Sequence, residues 1–272
     1  NISHLDNVKL IEGSITDKSL VLNTLEGADY LHNLAALVSV PESVDNPYEC
    51  VNINVNGILN VLEAARIHKL KKVIHFSSAA IYGDNPDSPK KTIMRPEPKS
   101  PYGITKLDGE YYLDSYKQNF GLNTLSFRCF NVFGPRQDPK SQYAAAIPIF
   151  VSKALKEEDI IIYGDGEQTR DFIYVKDIVK ANILAAQNSE LNGVFNLGTG
   201  KSVSINQLVK LVIELTGSKS KIQYLPERKG DIKHSLADIS ETATKLNFSP
   251  DYDLIAGVKS TIEYFIDLFK KS

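Results

Sequence analysis

The segment KVIHFSS (72–78) is an apolar run that ends in two serines. A helical pattern over 46–68 precedes it, and a second helical pattern over 102–119 follows it after a loop. The next apolar run, NTLSFRCF (123–130), comes soon after that helix. Strand-like runs that alternate with helices in this way predict β–α–β units, whose strands lie parallel in one sheet.

The same rhythm extends towards the N-terminus. VKLIE (8–12) is followed by a helical stretch over 17–27, and DYLHNLAA (29–36) is followed by the helix over 46–68. These runs are apolar nearly throughout, which is typical of parallel strands that are buried on both faces. We therefore predict an α/β fold with a doubly wound parallel sheet that helices cover on both sides.

The rhythm loosens in the second half of the chain. Residues 134–174 contain glycine, proline and polar turns, and a further helix–strand unit spans 175–200. The remainder, 201–272, mixes helices with loops. We predict a main domain made of 1–133 and 175–200, and a smaller, interleaved α/β substrate domain made of 134–174 and 201–272.

A dinucleotide-binding sheet normally opens with a strand, a glycine-rich turn and a helix. No G-x-G-x-x-G pattern occurs in this sequence, and GTG at 198–200 comes too late and lacks the third glycine. Two interpretations follow from the residues. Either the first β–α–β unit is missing ahead of this sequence, or the sheet binds no dinucleotide.

The bulk composition excludes several classes of protein. The chain has 272 residues and a net charge of −2, with no basic excess for nucleic acid or a membrane surface. No apolar run is long enough to span a bilayer. Cys50 and Cys129 fit no metal or disulfide framework, so we expect buried free thiols in a reducing, cytoplasmic compartment.

The segment SPYGITK (100–106) combines helix-start signals with a tyrosine and a lysine. Ser100 is a good N-cap and Pro101 suits the first helical position. Tyr102 and Lys106 then lie one turn apart on the same helical face. In a chain with 13 tyrosines such a pair also arises by chance, so the spacing alone indicates no function.

Six segments in register resemble those of extended short-chain dehydrogenases/reductases. They are HFSSAAIYGD, PKSPYGITKLDGE, FRCFNVFGPRQDP, GDGEQTRDFIYVKDIV, NLGTG and ERKGDIKHSLADIS. The chain most resembles the NAD-dependent epimerase/dehydratase family, and within it the UDP-glucose and UDP-N-acetylglucosamine 4-epimerases. The resemblance implies a Rossmann fold that carries NAD, with the first strand, glycine-rich turn and second strand absent ahead of residue 8.

The resemblance also implies a catalytic group made of Ser78, Tyr102 and Lys106. Tyr102 is the candidate base, and Lys106 is expected to favour its phenolate and to hold a nicotinamide ribose hydroxyl. Ser78, at the carboxyl end of a strand, is expected to bond the reacting oxygen. The 4-epimerase reaction oxidises the C4 alcohol of the sugar, turns the sugar and returns the hydride to the other face.

Further site residues are implied by position in the matched segments. The cofactor-binding residues, besides Tyr102 and Lys106, are Ser14, Ile15, Leu34, Ala35, Ala36, Asn54 and Ser77. The substrate-binding residues, besides Ser78, are Tyr82, Asn131, Arg170, Arg228, Asp231 and Ser235. The arginines suit a diphosphate, because a guanidinium bonds phosphate oxygens in pairs. We expect no metal site.

The residues beside Ser78 favour epimerisation over dehydration. Ala79 and Ala80 stand where the 4,6-dehydratases of the superfamily carry an acidic pair, and a methyl group cannot transfer protons. Ser235 aligns with a position that gates sugar size, and a serine there leaves room for an N-acetyl group. The predicted substrates are UDP-glucose and UDP-galactose, together with UDP-GlcNAc and UDP-GalNAc.

Two alternatives remain open. The chain could be another nucleotide-sugar epimerase or dehydratase of the same family, or a non-catalytic protein that binds NAD(P) or a nucleotide sugar. The presence of Ser78, Tyr102 and Lys106 favours an enzyme. The resemblance also implies a homodimer that forms through the helices over 46–68 and 102–119.

Overall fold

The computed structural model describes residues 2, 4–139, 145–227 and 232–271. Its strands are β1 (Tyr30–Asn33), β2 (Lys72–Ser78), β3 (Thr124–Cys129), β4 (Asn131–Phe133), β5 (Ile160–Tyr163), β6 (Thr169–Arg170), β7 (Phe172–Tyr174), β8 (Gly193–Leu197), β9 (Val203–Ser204) and β10 (Ile222–Leu225). Four of them form the central sheet in the order β1-β2-β3-β8. Every neighbouring pair in this sheet is parallel, as predicted.

Helices cover both faces of the central sheet. They are α1 (Lys18–Thr24), α2 (Val40–Asp45), α3 (Pro47–Val51), α4 (Gly57–Ile67), α5 (Pro101–Phe120), α6 (Ala146–Leu155), α7 (Val175–Gln187), α8 (Ile205–Thr216), α9 (Ser240–Leu246) and α10 (Leu254–Lys270). One core joins Val73 of β2 to α1, α4 and α5. A second core joins Ile74 to α7 and α9, because successive strand residues point to opposite faces.

A third core lies outside the central sheet. It packs α6, α8 and α10 against β5 and β7 around Phe133, Phe150 and Phe265. The strand pairs β4–β7 and β5–β10 are parallel, and β6–β9 is antiparallel. The division into a main domain and a smaller interleaved domain remains a prediction that this separate core favours.

Two sequence predictions differ from the structure near the N-terminus. The described residues form no strand over 8–12, although a strand was predicted there. Leu10 and Ile11 are exposed, and no neighbouring strand in the described part of the chain supplies a hydrogen-bond ladder. The run over 29–36 is a strand only as far as Asn33, after which the chain leaves the sheet.

The helix predicted over 46–68 contains an irregular turn. After α3 the residues Asn52–Asn56 form a π-helical turn, and α4 then continues to Ile67. A π turn accommodates one extra residue and is frequent at functional sites. None of the helices in the described ranges is long and apolar enough to cross a membrane.

Candidate active site

The start of α5 is fixed by local chemistry. The Ser100 hydroxyl accepts a hydrogen bond from the Gly103 N–H at 3.1 Å, and Pro101 occupies the first turn, as predicted. The Tyr102 N–H, which the helix itself cannot pair, donates to the Ser43 hydroxyl at 3.1 Å. This second contact ties α5 to α2 and holds Tyr102 in place.

Lys106 lies one turn further along α5 and is buried, with 3% of its surface exposed. Its amine donates to the Phe76 carbonyl of β2 at 2.7 Å and lies 5.8 Å from the ring centre of Tyr102. Burial lowers the pKa of Lys106 from 10.5 to about 8. The lysine is therefore a positioned, partly desolvated cation rather than a solvated surface group.

Ser78 is the last residue of β2 and stands at the carboxyl end of that strand. Its hydroxyl accepts from the Ala80 N–H at 3.1 Å and so begins the short 3-10 turn Ala79–Tyr82. Contact with Ser78 lowers the pKa of Tyr102, although burial is the larger effect and raises that pKa to about 12. The structure thus brings Ser78, Tyr102 and Lys106 together.

Burial is the main influence on the pKa of Tyr102. It makes the phenol a weaker acid than a free tyrosine, while the expected effect of Lys106, which favours the phenolate, stays a prediction. Desolvation penalises the charged form of any group, and it is the largest of the causes that act on this pKa.

Asn54 occupies the π turn and is buried. Its side-chain oxygen accepts from the Leu37 N–H at 2.8 Å, and its nitrogen donates to the Leu37 carbonyl at 3.0 Å. The same nitrogen donates to the Thr105 hydroxyl at 3.0 Å, next to Lys106. Asn54 thus joins the loop after β1 to the face of α5 that carries Tyr102 and Lys106.

A cavity of about 320 Å³ lies beside the carboxyl end of β1. Four predicted cofactor residues line it, namely Ser14, Ile15, Leu34 and Ala35, whereas Ala36 does not. Leu20, Val21 and Leu25 give it an apolar wall. Ligands of open α/β sheets bind at the carboxyl edge of the sheet. Ala35 is exposed here, and its small side chain lets a ligand approach the main chain. These residues therefore fit NAD.

Two predicted ligand contacts are directed elsewhere. The Ser77 hydroxyl is buried and donates to Glu110 at 2.5 Å, so it points into the core instead of towards a cofactor. Tyr82 is 1% exposed, and its hydroxyl donates to Asn196 at 2.6 Å and accepts from Arg128 at 3.1 Å. Both placements argue against the predicted ligand contacts.

A second cavity, of about 340 Å³, is formed around α6, β4 and β5. The predicted substrate residues Asn131 and Arg170 both line it. The Arg170 guanidinium also donates to the Thr169 carbonyl at 2.9 Å, which holds the guanidinium against the main chain of its own strand, β6. Ser235 lies next to this strand, because its N–H donates to the Thr169 carbonyl at 3.0 Å. Arg228 and Asp231 lie outside the described residues.

Comparison with known proteins matches these features to one family. The sequence model of the NAD dependent epimerase/dehydratase family matches residues 1–198, which include Ser78, Tyr102 and Lys106. The chain belongs to this family. The similar proteins include 4-epimerases of UDP-glucose and UDP-glucuronate, and also a dTDP-glucose 4,6-dehydratase and a UDP-N-acetylglucosaminuronate decarboxylase.

Three similar proteins illustrate the match. A putative UDP-glucose 4-epimerase of Methanocaldococcus jannaschii is 36% identical over 259 residues, which cover 94% of this chain and 83% of that protein. The structure of a UDP-N-acetylglucosamine 4-epimerase from Methanobrevibacter ruminantium, solved with UDP-N-acetylmuramic acid, is 45% identical with a TM-score of 0.95, covering 98% of this chain and 86% of that one. A Thermus thermophilus UDP-glucose 4-epimerase, solved with NAD, is 31% identical with a TM-score of 0.88, covering 96% and 86%.

These matches confirm the Rossmann-type fold, the enzymatic class and NAD as the cofactor of this epimerase/dehydratase family member. The individual site residues remain predictions that the geometry above supports or opposes. Among the described residues, no three His, Cys, Asp or Glu side chains could together hold a metal ion.

Sequence reasoning missed one buried group beside Arg170. The Asp171 carboxylate accepts from the Thr199 N–H at 2.8 Å, the Thr199 hydroxyl at 2.7 Å and the Gly200 N–H at 3.0 Å. It also accepts from the Ala237 N–H at 3.2 Å, two residues after Ser235. An aspartate that directly precedes the apolar run FIYV (172–175) is the signal that could have indicated this anchor.

Proposed function

We propose that the chain is an NAD-dependent UDP-hexose 4-epimerase. The observation that carries the proposal is the convergence of Ser78, Tyr102 and Lys106 at the carboxyl end of β2. The first comes from a strand end and the other two from the capped start of α5. The names of the similar proteins support the same reaction on a UDP-sugar.

Each residue has a distinct task in this proposal. The Tyr102 phenolate oxygen takes the proton from the C4 hydroxyl of the sugar, becomes the phenol and later returns the proton, while the Ser78 hydroxyl bonds the same C4 oxygen. Bound NAD supplies the hydride acceptor and donor. Lys106, held by the Phe76 carbonyl at 2.7 Å, keeps a positive charge near the phenol, and any added positive charge there favours the phenolate.

The proposed substrates are UDP-glucose and UDP-galactose, together with UDP-GlcNAc and UDP-GalNAc. The cavity with Asn131 and Arg170 would hold the nucleotide part, since a guanidinium suits a diphosphate. Ser235, beside Thr169, has a small side chain that leaves space for an N-acetyl group. Ala79 and Ala80 offer no group for the proton transfers of a dehydratase.

The proposal includes a homodimer through the helices over 46–68 and 102–119. Several large apolar side chains of this region are exposed, among them Tyr48 at 90%, Tyr111 at 62% and Ile104 at 48%. Exposed apolar patches often mark protein interfaces. Sedimentation of the purified protein tests this part, and a monomer at micromolar concentration would contradict it.

Product analysis tests the proposed reaction directly. The full-length protein is incubated with UDP-GlcNAc or with UDP-glucose, with and without added NAD, and the 4-epimers are followed by NMR. Conversion establishes a 4-epimerase, and the two rates rank the sugars. No conversion of either sugar with NAD present would favour another nucleotide sugar, another reaction of the family or a binding role.

The variant Tyr102→Phe tests the role of the phenol. It keeps the ring and its packing but removes the group that exchanges the proton. We expect kcat to fall at least ~100-fold, the usual scale for a positioned general base, while UDP binding is retained. An unchanged kcat would remove Tyr102 from the mechanism. The matched control is Tyr111→Phe on the exposed side of α5.

A further inference from the structure

A buried polar network lies immediately behind the three proposed catalytic residues. Its members are Ser77, Tyr82, Glu110, Arg128 and Asn196, each at most 4% exposed. They come from β2, the turn after Ser78, α5, β3 and β8. None of them lines the two cavities described above, so the network has no evident part in binding a ligand.

The centre of the network is an ion pair between Glu110 and Arg128. The Arg128 Nη2 donates to Glu110 Oε2 at 2.7 Å, and the Arg128 Nε donates to Glu110 Oε1 at 3.0 Å. The Ser77 hydroxyl adds a third bond, to Glu110 Oε1 at 2.5 Å. Paired bonds between a guanidinium and a carboxylate fix the relative orientation of the two groups as well as their distance.

The ion pair and Ser77 lie close in the fold to the proposed catalytic residues. Glu110 lies one helical turn after Lys106 on the same face of α5. Ser77 directly precedes Ser78, and Arg128 is the residue opposite Ser77 on β3. The ion pair therefore fixes α5 against β3, and the bond between Ser77 and Glu110 fixes α5 against the end of β2 that carries Ser78.

The network continues to the segment that carries Ser235. The Arg128 Nη1 donates to the Tyr82 hydroxyl, which donates to Asn196 Oδ1 at 2.6 Å. The Asn196 amide nitrogen then donates to the Lys90 carbonyl at 2.7 Å and to the Asp238 carbonyl at 3.2 Å. A continuous series of buried bonds thus joins α5 to the chain three residues beyond Ser235.

We propose that Glu110 and Arg128 are positioning residues for the epimerase reaction. The pair holds Tyr102 and Lys106 at the distance from Ser78 that proton exchange requires, and Tyr82 supports it from the opposite side. This inference rests on the proposed function. A buried ion pair can often be replaced as a whole by uncharged residues of similar volume without loss of stability, whereas removal of one partner alone is strongly destabilising.

The double variant Glu110→Gln/Arg128→Met tests whether the pair acts by positioning the catalytic residues or through its charges. Both charges are removed together, so no unpaired charge is left in the core to alter the pKa of Tyr102. Misplacement of reacting groups by about 1 Å can lower a rate ~100-fold. We expect kcat to fall at least tenfold while KM stays within twofold of the wild-type value.

The matched control is Asp29→Asn/Lys71→Met. This pair has a similar separation, 3.0 Å, but both side chains are exposed. The two residues directly precede β1 and β2, at the amino ends of these strands and away from Ser78. Its kcat should equal that of the wild type. An unchanged kcat in a folded Glu110→Gln/Arg128→Met protein, or a KM raised more than twofold, overturns the positioning role.

If circular dichroism shows that the double variant does not fold, the variant Tyr82→Phe tests the positioning role instead. It removes only the hydroxyl between Arg128 and Asn196, and we expect kcat to fall at least threefold with an unchanged KM. A raised KM would instead make Tyr82 a substrate contact, and two unchanged constants would leave the network without a catalytic effect, so either result overturns the proposal. Absence of turnover in the wild type refutes the proposed function itself, and the positioning role with it.

Discussion

Replacing Asn54 by alanine removes the side chain that pairs both main-chain groups of Leu37. Its oxygen accepts from the Leu37 N–H at 2.8 Å, and its nitrogen donates to the Leu37 carbonyl at 3.0 Å. Leu37 is itself buried, so both groups lose their partner away from water. The Thr105 hydroxyl also loses a bond, but it still donates to the Tyr102 carbonyl at 2.9 Å.

The size of the effect follows from these two unpaired groups. A buried donor or acceptor that loses its partner costs about 1–3 kcal/mol, so two main-chain groups predict a loss of about 3 kcal/mol in the free energy of unfolding. Typical domains are stable by about 5–15 kcal/mol, which makes this a large change that the protein can nevertheless survive.

Urea unfolding followed by far-ultraviolet circular dichroism measures the loss, since the chain has no tryptophan to serve as a fluorescent probe. The control is Asn56→Ala in the same π turn, where the side chain is exposed and makes one long bond of 3.3 Å to Asn52. The control should change stability by less than about 0.5 kcal/mol. A loss below about 1 kcal/mol for Asn54→Ala, or equal losses for both variants, would refute the reasoning.

Three further predictions concern the substrate, pH and packing. Ser235→Tyr should lower kcat/KM for UDP-GlcNAc at least tenfold while that for UDP-glucose stays within threefold, and intact turnover of UDP-GlcNAc would contradict the proposed gate. Burial lowers the pKa of Lys72 from 10.5 to about 8, so the unfolded chain binds more protons between these values and stability rises with pH across them. Lys72→Met should show a smaller rise in urea midpoints, since Lys106, whose pKa is also lowered to about 8, supplies the remainder, and equal slopes for both proteins would contradict a contribution from Lys72. Gly257→Ala would place a Cβ 2.6 Å from the Phe133 ring, so the free energy of unfolding should fall by about 1–3 kcal/mol. Thermal unfolding measures this loss, and an unchanged midpoint would show that α10 can shift away from Phe133 without cost.

The elements that the sequence predicted best are those whose signals are local. β2 spans 72–78 as predicted, because its apolar run is bounded by polar residues on both sides. The helix predicted over 102–119 spans Pro101–Phe120, because Ser100 caps its start and Gly121, with a positive φ of 68°, ends it. In both cases the deciding residues lie within one turn of the boundary.

The contacts that the sequence did not predict join residues far apart in the chain. Ser77 and Tyr82 follow motif positions that suggest ligand contacts, yet their hydroxyl groups bond Glu110 and Asn196. The distance along the chain is 33 residues in the first case and 114 in the second. A motif fixes where a residue stands in the fold, but the partner of its hydroxyl depends on which side chains the other strands bring to the same place.

The pKa of Tyr102 shows the same limit for electrostatics. The spacing of Tyr102 and Lys106 correctly indicated a charge near the phenol, and it said nothing about how deeply both groups are buried. Burial acts on the two in opposite senses, since it raises the pKa of the phenol to about 12 and lowers that of the ammonium to about 8. Desolvation is the largest cause of both shifts, and a pKa of about 8 still leaves Lys106 mainly charged at neutral pH. In the proposed reaction the Lys106 ammonium and the cationic nicotinamide of bound NAD would both favour the phenolate, and the residues of the site hold the phenol where these charges act on it.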